Sequence, residues 1–356
     1  MIAENLYREL KKNGVKFEQS AGKLSVKLPK TLAPDLKKAL GANKDALKVY
    51  LQVLFNQSKA QHKVVSRKKA NQWAPLSFAQ SRLWFIDNLQ GGTPEYNMPM
   101  AFNVSGLLDI TLLERVFNTI IDRHEILRTV YLDVQGEAQQ QIKTMSDINF
   151  AIAIVELRHL MPEIMAETVK AKVAADVVRA FDLTQDLMVR VSYLKTADDA
   201  GVLVFNMHHI ASDGWSMEVL TKEFFTLYDS FSQGKVSPLP ALEIQYADYA
   251  HWQKTYIAGE VLAGQLAYWT SQLADIPVVH SLPLSYKRPA VKAHLGAVLS
   301  GNLSAAVGQQ LQALAKRHQL TPFMLLHGAL SLLLSRHSNS SDIVIGTPIA
   351  NRLQAE

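Results

Sequence analysis

The densest grouping of reactive side chains is NMHHIASDGWSMEVL, Asn206 to Leu220, where two adjacent histidines precede an aspartate and a glycine. Imidazole exchanges its proton close to neutral pH, so His208 and His209 at the end of an apolar strand suit acid/base chemistry. Asp213, directly before an amphipathic run, is placed to cap exposed helix amides, and Gly214 permits a backbone N–H to approach a ligand. Blander alternatives stand beside each reading: a satisfied core histidine, a plain N-cap, an ordinary Asp-Gly turn. Neighbouring residues on a strand face opposite ways, which makes the two histidines a poor ligand pair, and no HExxH spacing occurs, so no metal is expected. The sequence has no cysteine, which excludes disulfides, thiolate nucleophiles and Cys-based metal sites. No G-x-S-x-G elbow supports a serine hydrolase.

The elements that must position this group alternate in period. Strands are expected at MAFNVSG around Phe102, QQQIK around Ile142, RVSYLK around Val191, Val202 to Met207 and DIVIGT from Asp342 to Thr347. Helices are expected at Ile110–His124, Met161–Ala180, Trp215–Phe231, Ala247–Ile257, Ala305–His318 and Pro322–Ser335, the last as a buried helix. The order predicts a mixed α/β body from Trp73 onward.

The first residues differ in texture. Ile2, Leu6 and Leu10 share one helical face; Val15–Ser20 and Lys23–Leu28 alternate around an Ala21-Gly22 turn, with Val15, Phe17, Leu24, Val26 and Leu28 on the inner face; helices follow at Thr31–Leu40 and Lys44–Phe55. This αββαα unit and the polar run after it hold the chain's excess of positive charge. Residues 1–72 carry 16 Lys and Arg against 5 Asp and Glu, whereas residues 73–356 carry 21 against 27. The lysines do not alternate with stacking aromatics, so no nucleic-acid partner is expected. No apolar stretch reaches the roughly 18 residues of a membrane span, and no secretory signal opens the chain, so no membrane partner and a cytoplasmic location are expected.

HHIASDG reads as HHxxxDG, and its flanks arrive in a fixed order: LSFAQSRLWFIDNL from Leu76, YNMP from Tyr96, RHEILRTVY from Arg123, MHHIASDGWS from Met207, YADYAHWQ from Tyr246, LPLSYKRP from Leu282 and IVIGTPIANR from Ile343. On these motifs the sequence resembles the condensation domains of nonribosomal peptide synthetases. The αββαα unit resembles the TubC-type docking domains that open such synthetase subunits. The fold implied is α/β: a docking domain over residues 1–57, a basic linker over 58–72, and a two-lobed domain similar to chloramphenicol acetyltransferase, its N-lobe over 73–240 and its C-lobe over 241–356. The family pattern continues through further strands beyond the ANR motif, and this sequence ends four residues after Arg352, so the second lobe is expected to be incomplete.

The resemblance implies amide formation between two thioesters carried on 4′-phosphopantetheine arms, with no tightly bound cofactor. Donor and acceptor peptidyl carrier proteins are the implied partners, together with the C-terminal peptide of an upstream synthetase subunit. His209 matches the histidine that contacts the attacking amine, His208 a structural one, and Gly214 N–H lies near the developing oxyanion. Asp213 is expected to hold the loop, with Arg352 as its partner, and Arg123 to support the same centre or lie exposed at a helix end. Lys16, Lys23, Val26 and Lys27, with Lys30, are expected to bind the docking peptide, which the lysines predict to be acidic. LPLSYKRP carries Ser285 where the family often has an acid, which leaves that loop without a role. Two competing readings are an acyltransferase using free coenzyme A thioesters and a scaffold without turnover.

Overall fold

The computed structural model describes residues 2–20, 23–29, 31–51, 73–277, 279–290 and 296–349. The Ala21-Gly22 turn, Lys30, the end of the expected Lys44–Phe55 helix, the linker at 58–72 and Arg352 lie outside the described residues.

The N-terminal unit consists of α1 (Ile2–Lys12), an antiparallel hairpin of β1 (Lys16–Ser20) and β2 (Lys23–Lys27), α2 (Pro34–Ala42) and α3 (44–51). Pro34 starts α2 three residues later than expected, since proline's fixed φ suits the first turn of a helix. Leu6, Leu10, Val15, Leu32, Leu47 and Leu51 form its core. The hairpin's inner face is only half covered. Phe17 packs 5.2 Å from the ring of Tyr7, but Val26 and Leu28 are exposed, against expectation. The helices cover Val15 and Phe17 and leave Val26 and Leu28 in solvent.

The larger unit is built on a four-stranded sheet of order β4-β9-β8-β7 (Asn97–Ser105, Ala200–His208, Val189–Lys195, Ala153–Glu156). Strand β9 pairs antiparallel with β4 and β8, and β7 joins β8 in parallel. Alternation along β9 separates two cores. Phe205 and Met207 pack with Leu113, Phe117 and Ile120 of α5 (Ile110–Arg123) and with Leu227 and Phe231 of α7 (Gly214–Ser232). Val202 and Val204 face Met165, Val169 and Val173 of α6 (Pro162–Val178). A second sheet, β3-β6-β5 (Trp73–Pro75, Glu137–Ile142, Thr129–Val134), lies beside α4 (Phe78–Gln90) and α8 (Tyr246–Tyr256). α8 follows the lobe boundary expected at 240/241, yet its main contacts are with β3, α4 and the turn 125–128, and Ala247 shares a core with Ala74 and Ile142.

Three further helices follow: α9 (Gly259–Gln272), α10 (Ala305–Arg317) and α11 (Pro322–Ser338). α11 is a helix as expected but is not buried: Phe323, Met324, Leu326, Leu332 and Leu333 are all more than half exposed. α10 is its principal neighbour among the described elements, and one helix covers only a narrow stripe of an apolar cylinder. DIVIGT forms no strand over residues 342–347. It pairs with no described strand, and β-branched residues make a ladder only where a neighbour satisfies their backbone. No helix among the described residues is long and apolar enough to cross a membrane.

Gly201 sets a packing limit in β9. A Cβ there would lie 2.5 Å from the ring of Tyr193, which crosses the glycine from β8. Gly201→Ala is therefore expected to lower stability by about 1–3 kcal/mol, read as a lower midpoint in urea. An unchanged midpoint would show that Tyr193 moves aside at no cost.

Candidate active site

The site begins where β9 ends. His208 lies opposite Asn97 in the sheet register, and its backbone N–H donates to Met188 O at 3.2 Å. The next amide, His209 N–H, donates 2.8 Å to Tyr96 O. The chain then turns: Ala211 N–H donates to His208 O at 3.0 Å, and Ser212 Oγ–H donates to the same carbonyl at 3.3 Å. This turn buries His208 completely and leaves His209 exposed, so the two imidazoles are divided between core and solvent.

His208 Nδ1 accepts the Ile210 N–H at 3.1 Å. A nitrogen that accepts carries no proton, so the ring is neutral with its hydrogen on Nε2. Among the described residues Nε2 has no hydrogen-bond partner. Phe181 meets the ring edge-on at 5.7 Å between centroids, and Tyr96 lies at 6.4 Å. Burial, then the neighbouring His209 and Arg190, pull the imidazole down from its ordinary 6.5 to about 4.

Asp213 is the N-cap of α7. Its Oδ1 accepts from Ser216 N–H at 2.8 Å and from Ser216 Oγ–H at 2.6 Å. Gly214, the first helical residue, is exposed, and a Cβ built on it would have open space within 4 Å. The glycine thus leaves the first turn of α7 accessible, where backbone N–H groups and the helix dipole favour negative charge.

Arg123 does not reach this turn. Its Nε donates 3.0 Å to Glu223 Oε1, nine residues along α7 from Gly214, and its Nη1 donates to Pro240 O. The helix-end alternative fails as well, because the side chain is largely buried. His124 Nε2 lies 2.7 Å from the other oxygen of Glu223. Burial pushes the Glu223 carboxyl up, but the contacts with His124 and Arg123 outweigh it and hold the group below its usual range. Gln245 completes the junction: its side chain donates to Arg123 O at 2.9 Å and accepts from Glu125 N–H at 3.1 Å. The RHE segment therefore anchors both the middle of α7 and the segment that leads into α8.

A polar clamp lies beneath the turn. Asn97, Arg190 and Asn206, from β4, β8 and β9, donate to main-chain oxygens of residues 176–180 at the end of α6. Sequence reasoning missed this clamp, Glu223 and Gln245. A charged residue inside the apolar strand VRVSYLK was the available signal for Arg190, since buried charges are kept only with partners.

The neutral state of His208 has a thermodynamic consequence. Between its folded value of about 4 and the ordinary 6.5 the unfolded chain binds more protons, so the contribution is complete above 6.5 and is lost as pH falls to 4. It amounts to on the order of 3 kcal/mol. Chemical denaturation across that window is expected to show stability falling with pH, and the gap between wild type and His208→Gln narrowing in parallel. A gap independent of pH would mean that His208 does not titrate as its surroundings require.

Comparisons with known proteins bear on this geometry. Residues 70–356 match the family model described as Condensation domain. The chain is 39% identical over 282 residues to a linear gramicidin synthase of Brevibacillus parabrevis, a match that covers 79% of this chain and 4% of that protein. A four-domain nonribosomal peptide synthetase bound to AMP and glycine is similar in structure, with a TM-score of 0.68 at 27% identity over 80% of this chain and 21% of the other. The EpoB cyclization-docking bidomain from Sorangium cellulosum gives 0.69 over 95% of this chain and 65% of the other, at 21% identity, a likeness of fold alone. The chain thus spans only a small part of the length of its synthetase relatives.

Proposed function

The chain belongs to the condensation-domain family, and from that premise we propose that its larger unit joins two carrier-bound substrates by an amide bond. The free amine of an aminoacyl group on the acceptor carrier attacks the thioester carbonyl of an aminoacyl or peptidyl group on the donor carrier. A C–N bond forms, the C–S bond breaks, and the proton lost by the amine ends on the departing phosphopantetheine thiol. An α-amine has a pKa of about 8, so a fraction is free at neutral pH, and the thioester is already activated. The protein has to supply position and a route for one proton.

The observation that carries this reading is the division of labour between the two histidines: His209 is exposed at the turn, and buried His208 shapes that turn through Ile210. His209 contacts the attacking amine, accepting or orienting its N–H. The accessible first turn of α7, with Gly214 N–H, faces the negative charge that develops on the carbonyl oxygen. Asp213 keeps that turn in place by capping α7, and Arg352 is assigned to Asp213 as its partner. The polypeptide needs no tightly bound cofactor, because both substrates arrive on 4′-phosphopantetheine arms of peptidyl carrier proteins.

The N-terminal unit, residues 1–57, is read as a docking domain for the C-terminal peptide of an upstream synthetase subunit, added as a strand along β2. Exposed Val26 on that strand and Leu28 just after it offer apolar contact, and Lys27 on β2 and Lys16 on β1 are exposed as well. With Lys23 they favour an acidic peptide. The likeness of fold to a cyclization-docking bidomain across 95% of the chain supports this assignment.

Two outcomes follow. In single turnover with loaded donor and acceptor carriers, His209→Ala is expected to slow product formation by roughly 10²- to 10⁴-fold. A rate unchanged by the substitution would remove His209 from the reaction. Binding of the upstream C-terminal peptide is expected to weaken as salt rises and to fall at least about tenfold in Lys23→Glu/Lys27→Glu, since like charges now face each other. Affinity insensitive to both would sink the electrostatic part of the docking assignment.

A further inference from the structure

Beneath the HHxxxDG turn three side chains form a stack that runs from β8, an inner strand of the sheet, to the buried histidine. The Arg190 guanidinium lies over the ring of Phe181, 3.8 Å from its centroid. Phe181 in turn meets His208 edge-on at 5.7 Å. Phe181 is 2% exposed and His208 fully buried, so the ring is a fixed wedge between cation and imidazole.

Arg190 is positioned by bonds that do little to cancel its charge. Its Nη1 donates to Ala180 O and its Nη2 to Asp176 O and Arg179 O, all neutral main-chain acceptors. Among the described residues the carboxylate paired with it is Asp176, 3.5 Å from Nε, which also accepts from Asn206 Nδ2 at 3.1 Å. A cation of this kind, held close to a buried imidazole, opposes a second positive charge there. The cost would fall directly on the turn. A proton on His208 Nδ1 would place two N–H groups against each other and break the bond from Ile210 N–H, the residue next to His209.

We infer that Arg190, acting through Phe181, is a positioning residue for His209: it adds to burial and to His209 in holding His208, as pH falls, in the neutral form whose Nδ1 accepts the Ile210 N–H, and so supports the turn that presents His209. The charged and titratable groups around His208 are His209 on its own turn, Tyr96 through its ring, and Arg190 from β8; Asp176, Arg179 and Asp186 act on Arg190 in turn. Only the consequence for turnover rests on the condensation reading. The state of His208 does not.

The test is a pH titration of the His208 ring and the Ile210 amide by NMR in the full chain, in wild type, Arg190→Gln and Arg190→Lys. Glutamine keeps a donor for the α6 carbonyls and removes the charge, whereas lysine keeps the charge and removes the planar stack. The His208 midpoint is expected to rise by roughly one pH unit in Arg190→Gln and to stay near wild type in Arg190→Lys. Equal midpoints in wild type and Arg190→Gln, or equal rises in both variants, would overturn the inference. Should Arg190→Gln not fold, wild type alone decides: the Ile210 amide shift must move with the His208 midpoint, and an amide blind to His208 protonation overturns the link to the turn. In single turnover the acid limb of Arg190→Gln is expected to move upward with the His208 midpoint. Absence of turnover in all three proteins, with the titrations as expected, would count against condensation and leave the role of Arg190 standing.

Discussion

The hydrogen bond from Ile210 N–H to His208 Nδ1 is the constraint on which the rest of the site depends. It fixes the tautomer of one imidazole, and by joining the residues on either side of His209 it fixes the direction of the other. A turn made this way needs its acceptor neutral and dry, and the structure supplies both: the ring is fully buried against Phe181, with a cation behind. A one-residue slip in the register of β9 would turn His208 away from this core.

The second support is farther from the chemistry. Glu223 holds Arg123 and His124 at once, and Arg123 also holds Pro240 O. Gln245 bridges residues 123 and 125 with its amide. Removing one partner from such a buried charge cluster costs several kcal/mol, because the remaining charge stays out of water without compensation. The helix that begins at the site and the chain segment leading to α8 therefore share one anchor. A shift at that anchor would be felt at both.

Much of this site was legible in the sequence because it is local. An apolar strand running into two histidines, and an aspartate three residues before a serine at a helix start, are written in consecutive residues, and the structure has both. Opposite environments for His208 and His209 arise where β9 ends at His208 and the chain turns. Other features depend on what is brought near. Arg190 reads as a strand residue until Phe181 covers it, and Glu223 as a surface helix acid until Arg123 and His124 close on it from another helix. Periodicity names the apolar face of α11 but not its cover, so the expected helix is present and its expected burial is not. The same holds for DIVIGT, whose composition favours a strand that finds no described partner.

The central claim is that a buried, neutral His208 organises the turn for an exposed His209. The direct measurement is the tautomeric state of each histidine at neutral pH from one long-range proton–nitrogen correlation spectrum of the labelled protein. The account predicts that His208 shows an unprotonated Nδ1 and a protonated Nε2, with a ring isolated from solvent, while His209 exchanges freely with water. A His208 protonated on Nδ1, or ionised, would contradict it, because the turn would then rest on a hydrogen bond that does not exist.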